Sequence, residues 1–126
     1  MSNLKQYVIV RKDLQLNAGE LAAQVAHLSA NFITAKITGD IVFTNMEMEW
    51  FKSPYLIVLE VNNCDELEMV KQLALEHDAS FIVWKDTVKS KTFDAWYKTQ
   101  IGLSLEINDS DALKPIVGRL QLYNGG

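Results

Sequence analysis

Three short runs of strand-forming residues constrain what this chain can fold into. They are Tyr7-Val8-Ile9-Val10, Leu56-Ile57-Val58-Leu59 and Phe81-Ile82-Val83-Trp84. Each is nearly continuous rather than alternating, the pattern of a strand covered on both faces. The first two are followed by helical patterns. After the first, Asn17 and Glu20 form a capping-box pattern. Leu21, Val25, Leu28 and Phe32 then recur at helical spacing, which predicts a helix to about Ala35 with its apolar stripe on the core. After the second, Asn63 and Glu66 repeat the cap, and Leu67, Val70, Leu73 and Ala74 give the inward face of a helix to about His77. Strands are expected at 5–12, 55–61 and 80–84. The order strand, helix, strand, helix, strand indicates an α/β layer fold with right-handed crossovers and a largely parallel sheet.

The remaining segments carry weaker signals. Thr38-Gly39-Asp40 is a turn signal. Met46, Met48, Trp50 and Phe51 follow without a clean period, and a short helix ending at Ser53-Pro54 is expected, with the methionines under a loop or on a dimer surface. Ala22, Ala23, Ala26 and Ala30 are small enough to let the first helix approach a sheet or a partner helix. Lys85 to Lys98 reads as a charged segment after the third strand. Ile101 to Ile107 alternates apolar with Gly102, Ser104 and Glu106, the pattern of an edge strand with one wet face. Asp109 to Asp111 starts a last short helix, in which Pro115 is tolerated near the first turn. Leu120, Leu122 and Tyr123 should dock the end of the chain.

Composition bounds the function. A chain of 126 residues, 48% hydrophobic and 22% charged, reads as one domain over 1–126. The single cysteine, Cys64, excludes an internal disulfide framework and fits a reducing, cytoplasmic setting. The run Tyr7–Val10 is too short for a signal peptide or a membrane span. A net charge of −4 argues against indiscriminate nucleic-acid binding. The charge is uneven, however: residues 40–78 hold nine acidic residues against two lysines, and residues 85–98 hold four lysines against two aspartates. A local basic patch on an acidic body remains open.

No metal site is expected, since His27, His77 and Cys64 form no ligand-spaced cluster, and no cofactor motif or phosphate-cradling glycine loop occurs. What stands out is the first strand-to-helix junction, the crossing where α/β proteins usually meet ligands. Glu20, Gln24, His27 and Asn31 share one helix face beside the apolar stripe. The ends of strands one and three would bring Lys12, Asp13, Glu20, Gln24 and His27 together with Asp86, Lys89 and Ser90. A carboxylate beside lysines and a hydroxyl can position water and offset an oxyanion in ester hydrolysis. A solvated helix flank explains the polar line equally well.

At this point the chain resembles the type 2 peptidyl-tRNA hydrolase family. The family's V-V-R-x-D-L strand matches Val10-Arg11-Lys12-Asp13-Leu14, and its G-K-x-A-A-Q-x-x-H-A helix matches Gly19 to Leu28. Its tryptophan before strand two resembles Trp50. Its D-A-G-R-T-Q segment falls on Asp86 to Lys91, and its closing G-x-L-x-L-Y on Gly118 to Tyr123. The resemblance implies a three-layer α/β/α domain with a four-stranded mixed, mostly parallel sheet, often dimeric, cleaving the ester between peptide and tRNA without a required metal. Asp86 then stands for the family aspartate and Ser90 for its first threonine. Lys89 replaces an arginine, and Gln24 and His27 are retained. Ala18 and Glu20 occupy the positions of two family lysines. The second threonine falls on Ile101, or on Thr99 if the insertion before strand four is placed differently.

Two functions follow. In the first, a divergent tRNA ester hydrolase, Asp86, Ser90, His27 and Gln24 form the catalytic set. The substrate lies along Lys12, Glu20, Lys89, Lys91 and Lys98, and the protein is a cytoplasmic homodimer with tRNA as its partner and no membrane association. In the second, the protein is an inactive relative acting as a binding or dimeric interaction module.

Overall fold

A computed structural model of the chain describes residues 3–38, 43–90 and 92–124, with only the backbone of 36–38. The elements are β1 (Leu4–Arg11), a short 3-10 turn (Lys12–Leu14), α1 (Ala18–Thr38), α2 (Asn45–Lys52), β2 (Leu56–Val61), α3 (Cys64–Glu76), β3 (Phe81–Lys89), β4 (Trp96–Leu105), β5 (Asn108–Asp109), α4 (Ser110–Val117) and β6 (Gln121–Leu122). The turn expected at 39–40 and Lys91 lie outside the described residues.

The fold is α/β with a mixed sheet, but the sheet has six strands rather than four, in the order β3-β4-β1-β2-β6 with β5 beside β1. Nor is it mostly parallel. Among the described residues only β1 and β2 run parallel; β1–β4, β3–β4, β2–β6 and β1–β5 are antiparallel. The correction comes from the segment after the third apolar run. Lys85 to Lys98 is not a loop: β3 continues through Lys89, and β4 already begins at Trp96, so the two form a hairpin. An antiparallel hairpin needs only a short turn, whereas a parallel pairing would need a long crossover. β4 consequently lies inside the sheet, with Ile101 to Leu105 buried, and β3 takes the edge.

Alternate residues of β1 divide the core. Tyr7 and Ile9 pack with Leu67, Val70 and Ala74 of α3 and with Leu113, Ile116 and Val117 of α4. Val8 and Val10 pack with Leu28 of α1, against which Leu21 and Val25 also lie. Because successive strand residues point to opposite faces, these clusters lie on opposite sides of the sheet. A third cluster joins Phe32, Trp50 and Ile107. Within it the Trp50 indole N–H donates to the Tyr55 carbonyl at 3.0 Å.

Both expected capping boxes hold reciprocal or equivalent bonds. At α1, Glu20 N–H donates to Asn17 Oδ1 at 2.8 Å and Asn17 N–H to Glu20 Oε1 at 3.0 Å. At α3, Glu66 N–H donates to Asn63 Oδ1 at 3.0 Å, while the Glu66 carboxylate reaches back to Asn62. Other expectations are corrected. Ala22, Ala23, Ala26 and Ala30 do not pack under the sheet but are largely exposed, as are Met46 and Met48. Pro115 sits in the second half of α4 rather than its first turn. Leu120 and Tyr123 dock, but Leu122 stays exposed.

Gly102 is required by close approach. A Cβ there would run into the Ile9 carbonyl, because β4 crosses β1 closely at this point. The preceding residue, Ile101, is the extra residue of a bulge: Trp84 lies opposite Gly102, but Lys85 lies opposite Gln100.

Candidate active site

The bulge sets what Asp86 faces. Beyond it the β3–β4 pairing is regular again, and Asp86 lies directly opposite Thr99. Residues opposed across an antiparallel pair share a face, so the carboxylate and the hydroxyl stand side by side. Asp86 is half-buried.

α1 supplies the support for the carboxylate. Gln24 is buried; its Nε2 donates to Asp86 Oδ2 at 2.9 Å, and its Oε1 accepts from the Trp84 indole at 2.7 Å. Trp84 and Asp86 are two residues apart on β3 and therefore meet the same helix face. His27, one turn along α1 from Gln24, stacks on the Trp84 ring at 4.9 Å between centroids, with its own side chain exposed. The Thr87 N–H adds a bond to Asp86 Oδ1 at 2.8 Å. The Gln24 amide first, then this backbone N–H, hold the Asp86 carboxyl below the ordinary carboxylate range against the opposing effect of burial, with smaller Coulombic contributions from His27 and Lys98 in the lowering direction.

Thr99 is held from β1. Arg11, itself buried, donates from Nη1 to Thr99 Oγ1 at 2.7 Å and to the Gln100 carbonyl at 2.9 Å. Its Nε and Nη2 form a two-point contact with Asp13 at 3.1 and 2.8 Å. That contact keeps the guanidinium charged and raises its pKa further. Since Thr99 Oγ1 accepts from Arg11, its own proton is left to donate toward a ligand.

Of the residues singled out in the sequence, Asp86, Gln24 and His27 come together, with Lys98 near enough to influence Asp86. Ser90 does not join them. Its hydroxyl accepts from Thr92 and Phe93 N–H at 3.1 and 2.9 Å and shapes the hairpin tip. Lys89 pairs with Asp94 at 2.9 Å in the same hairpin. Lys12 pairs with the buried Glu60 at 3.2 Å and lines a cleft of about 360 Å³ with Glu66, Leu73, Arg119 and Leu120, away from Asp86. Glu20 spends its carboxylate on the α1 cap.

Sequence reasoning missed Trp84 and Arg11 as members of the site and left Thr99 as an alternative. Strand alternation from Asp86 back to Trp84 was the available signal. No group of three or more metal-ligating side chains occurs among the described residues. None of the helices described there is long and apolar enough to cross a membrane.

With this geometry in place, comparison with known proteins is informative. The sequence profile of the family described as peptidyl-tRNA hydrolase PTH2 matches residues 4–123. The chain belongs to the PTH2 family. Among PTH2 relatives, a peptidyl-tRNA hydrolase of Nanoarchaeum equitans is 28% identical over 123 residues, covering 95% of this chain and 99% of that protein. Another, from Methanothermobacter thermautotrophicus, is 29% identical over 119 residues, covering 94% and 99%. The Thermoplasma acidophilum peptidyl-tRNA hydrolase is 35% identical over a shorter span of 71 residues, 56% of this chain and 58% of that protein. A solved structure of a protein of unknown function from Agrobacterium tumefaciens C58 superposes with a TM-score of 0.58 at 17% identity, covering 98% of this chain and 99% of that one. That likeness concerns the fold alone.

Proposed function

We propose that this PTH2 member hydrolyses the ester that joins a peptide or amino acid to the terminal ribose of tRNA. The observation that carries the reading is the opposed pair Asp86 and Thr99, one fixed by Gln24 and the other by Arg11. In this reading Asp86, anionic at neutral pH, accepts a hydrogen bond from the attacking water and orients it. The water oxygen bonds to the ester carbonyl carbon, and the Thr99 hydroxyl donates to the developing oxyanion. The carbon–ribose oxygen bond then breaks, and the proton lost by the water ends on the departing ribose oxygen. A carboxylate with a lowered pKa is a weak base, so its contribution is chiefly orientation and charge. His27 borders the same site, and Lys98 acts on Asp86 through its charge. Lys12, Lys89 and Ser90, engaged elsewhere, are left out of the chemistry. The three-layer arrangement, a homodimer and a cytoplasmic setting belong to the same proposal, supported by the two core clusters, the exposed Tyr55, Leu56 and Leu122, and Cys64 as the single cysteine.

The test is single-turnover release of labelled peptide from N-blocked aminoacyl-tRNA. Wild type should release it, and Asp86→Ala should slow release by about 100-fold. Absence of release from every N-blocked aminoacyl-tRNA would sink the proposal. One observation favours the second reading, an inactive binding relative: Glu20 places a carboxylate in the first turn of α1 and is committed to the Asn17 cap. The same assay separates the two.

A further inference from the structure

β3 forms one end of the sheet, and among the described residues no strand pairs with its outer edge. Which backbone groups that edge offers follows from the ladder on its inner side. The Ser80 carbonyl accepts from Glu106 N–H at 2.9 Å, and Ser90 N–H donates to the Ala95 carbonyl at 2.9 Å. In an antiparallel pair, the residues that bond to the neighbouring strand alternate along the chain. The extra residue of the bulge belongs to β4, so the alternation on β3 is unbroken from Ser80 to Ser90. Even-numbered residues therefore turn their N–H and C=O groups towards β4. Phe81, Val83, Lys85, Thr87 and Lys89 turn theirs outwards.

One of these outward groups is taken. Thr87 N–H donates to Asp86 Oδ1 at 2.8 Å, which places the carboxylate at the edge itself. Among the described residues nothing bonds to the outward N–H groups of Phe81, Val83 and Lys85. The strand that carries them is fixed from both faces. Phe81 and Val83 pack on the α3 side, and Ile82 and Trp84 on the α1 side. A template fixed in advance loses little freedom on binding.

We propose that this edge takes the peptide of the ester substrate as an added parallel strand, running beside Phe81 to Lys85 with its C-terminal end at Asp86. This rests on the ester-hydrolase reading, which places an acyl chain at Asp86. The direction follows from the edge: the open positions Phe81, Val83 and Lys85 all precede Asp86, whereas the Thr87 N–H beyond it is occupied. Neighbouring strands lie about 4.8 Å apart, so the last two residues of the peptide, about 7 Å long, reach from the edge across Asp86 towards Thr99. Main-chain bonds hold a strand whatever its side chains, which suits a substrate defined by its ester and not by its sequence. The exposed Lys85, midway along the edge, opposes the approach of the same edge from a second copy.

The test uses the full chain, an N-acetylated hexapeptide amide of alternating alanine and serine, and the same peptide with its internal amides N-methylated. At saturation with the first peptide, hydrogen exchange at the Phe81, Val83 and Lys85 N–H groups should slow by about tenfold or more. The N-methylated peptide should bind about tenfold or more weakly, and an unmethylated hexapeptide of unrelated sequence within a few-fold of the first. Lys85→Pro removes one outward N–H without breaking the ladder to β4, and should weaken binding. If that variant folds poorly, the N-methylated peptide reads the same bonds in the wild-type chain. Equal binding of the methylated and unmethylated peptides, or unchanged exchange at the three edge amides, would overturn the proposal. So would protection of those amides that rises with protein concentration in the absence of peptide, the sign of a second copy on the edge. Because these peptides carry no ester, edge-dependent binding without any ester cleavage overturns only the hydrolase reading. Cleavage of peptidyl-tRNA with a KM indifferent to N-methylation of the peptide overturns only the edge.

Discussion

Gln24 donates its amide to Asp86 at 2.9 Å while Trp84 donates to the other end of the same amide at 2.7 Å. An amide side chain can present either its oxygen or its nitrogen. The indole N–H, a donor that cannot accept, and the carboxylate, an acceptor that cannot donate, fix the same orientation of the amide. Trp84 is thus a positioning residue, acting on the site through Gln24.

Trp84→Phe keeps a ring for His27 but removes the N–H. The expected result is a several-fold fall in kcat with little change in KM, and stability lower by about 1 kcal/mol for the unpaired buried amide oxygen. Steady-state kinetics alongside thermal unfolding would check both. An unchanged kcat with lowered stability would make the indole structural only.

Removing the Gln24 donor should let Asp86 titrate nearer its usual range. In Gln24→Met, an NMR titration of the Asp86 carboxyl should give a higher midpoint than in wild type. The depressed native pKa also carries a sign for stability. The unfolded carboxyl binds protons more readily than the native one, so the stabilisation is present above the reference value of 3.8 and is lost as pH falls through the lower native value. The stability difference between wild type and Asp86→Ala should therefore shrink as unfolding is measured at increasingly acidic pH.

Thr99→Val conserves shape and removes the hydroxyl. Ester cleavage should fall by about 100-fold, the scale of losing one oxyanion donor. Stability should fall by about 1–3 kcal/mol, because a buried guanidinium loses an acceptor. Thr99→Ser should restore most of both.

Glu20→Lys exchanges a capping carboxylate for a cation in the first turn of α1. Thermal unfolding should report a loss of about 1 kcal/mol, from the broken reciprocal cap and the unfavourable charge beside the helix dipole. An increase in ester cleavage in the same variant would show that the charge at this position limits activity.

Gly102→Ala should be the most damaging of these changes to the fold, by about 2–3 kcal/mol, since the added methyl meets the Ile9 backbone rather than a side chain that could turn away. Denaturant unfolding would measure it.

Burial decided which elements were legible in the sequence. β1, β2, α1 and α3 combine apolar runs or stripes with caps at Asn17 and Asn63, and their local and tertiary preferences agree. The hairpin was not legible, because Lys85 to Lys89 and Trp96 to Gln100 are paired with each other yet wet on the outside, and such strands carry no apolar run. Ending the third strand at Trp84, where its apolar run stops, made the sheet look parallel and moved Ser90 into the site. In the fold, Ser90 is separated from Asp86 by the rest of β3 and is occupied at the tip. Asp86, Gln24 and His27 were legible because strand end and helix face converge in this topology however the sheet is ordered.

The extra residue Ile101 has a further consequence. A strand assigns its side chains by parity, so without the bulge the register on the Trp84 side would run on and place Gln100, not Thr99, across from Asp86. Gln100 instead meets Lys71 of α3. Pairing Ile101 into the ladder instead of leaving it as the bulge would keep every side chain chemically intact while exchanging the hydroxyl beside the carboxylate for an amide. The fold therefore stores the composition of this site partly in which residue of β4 it leaves out of the ladder.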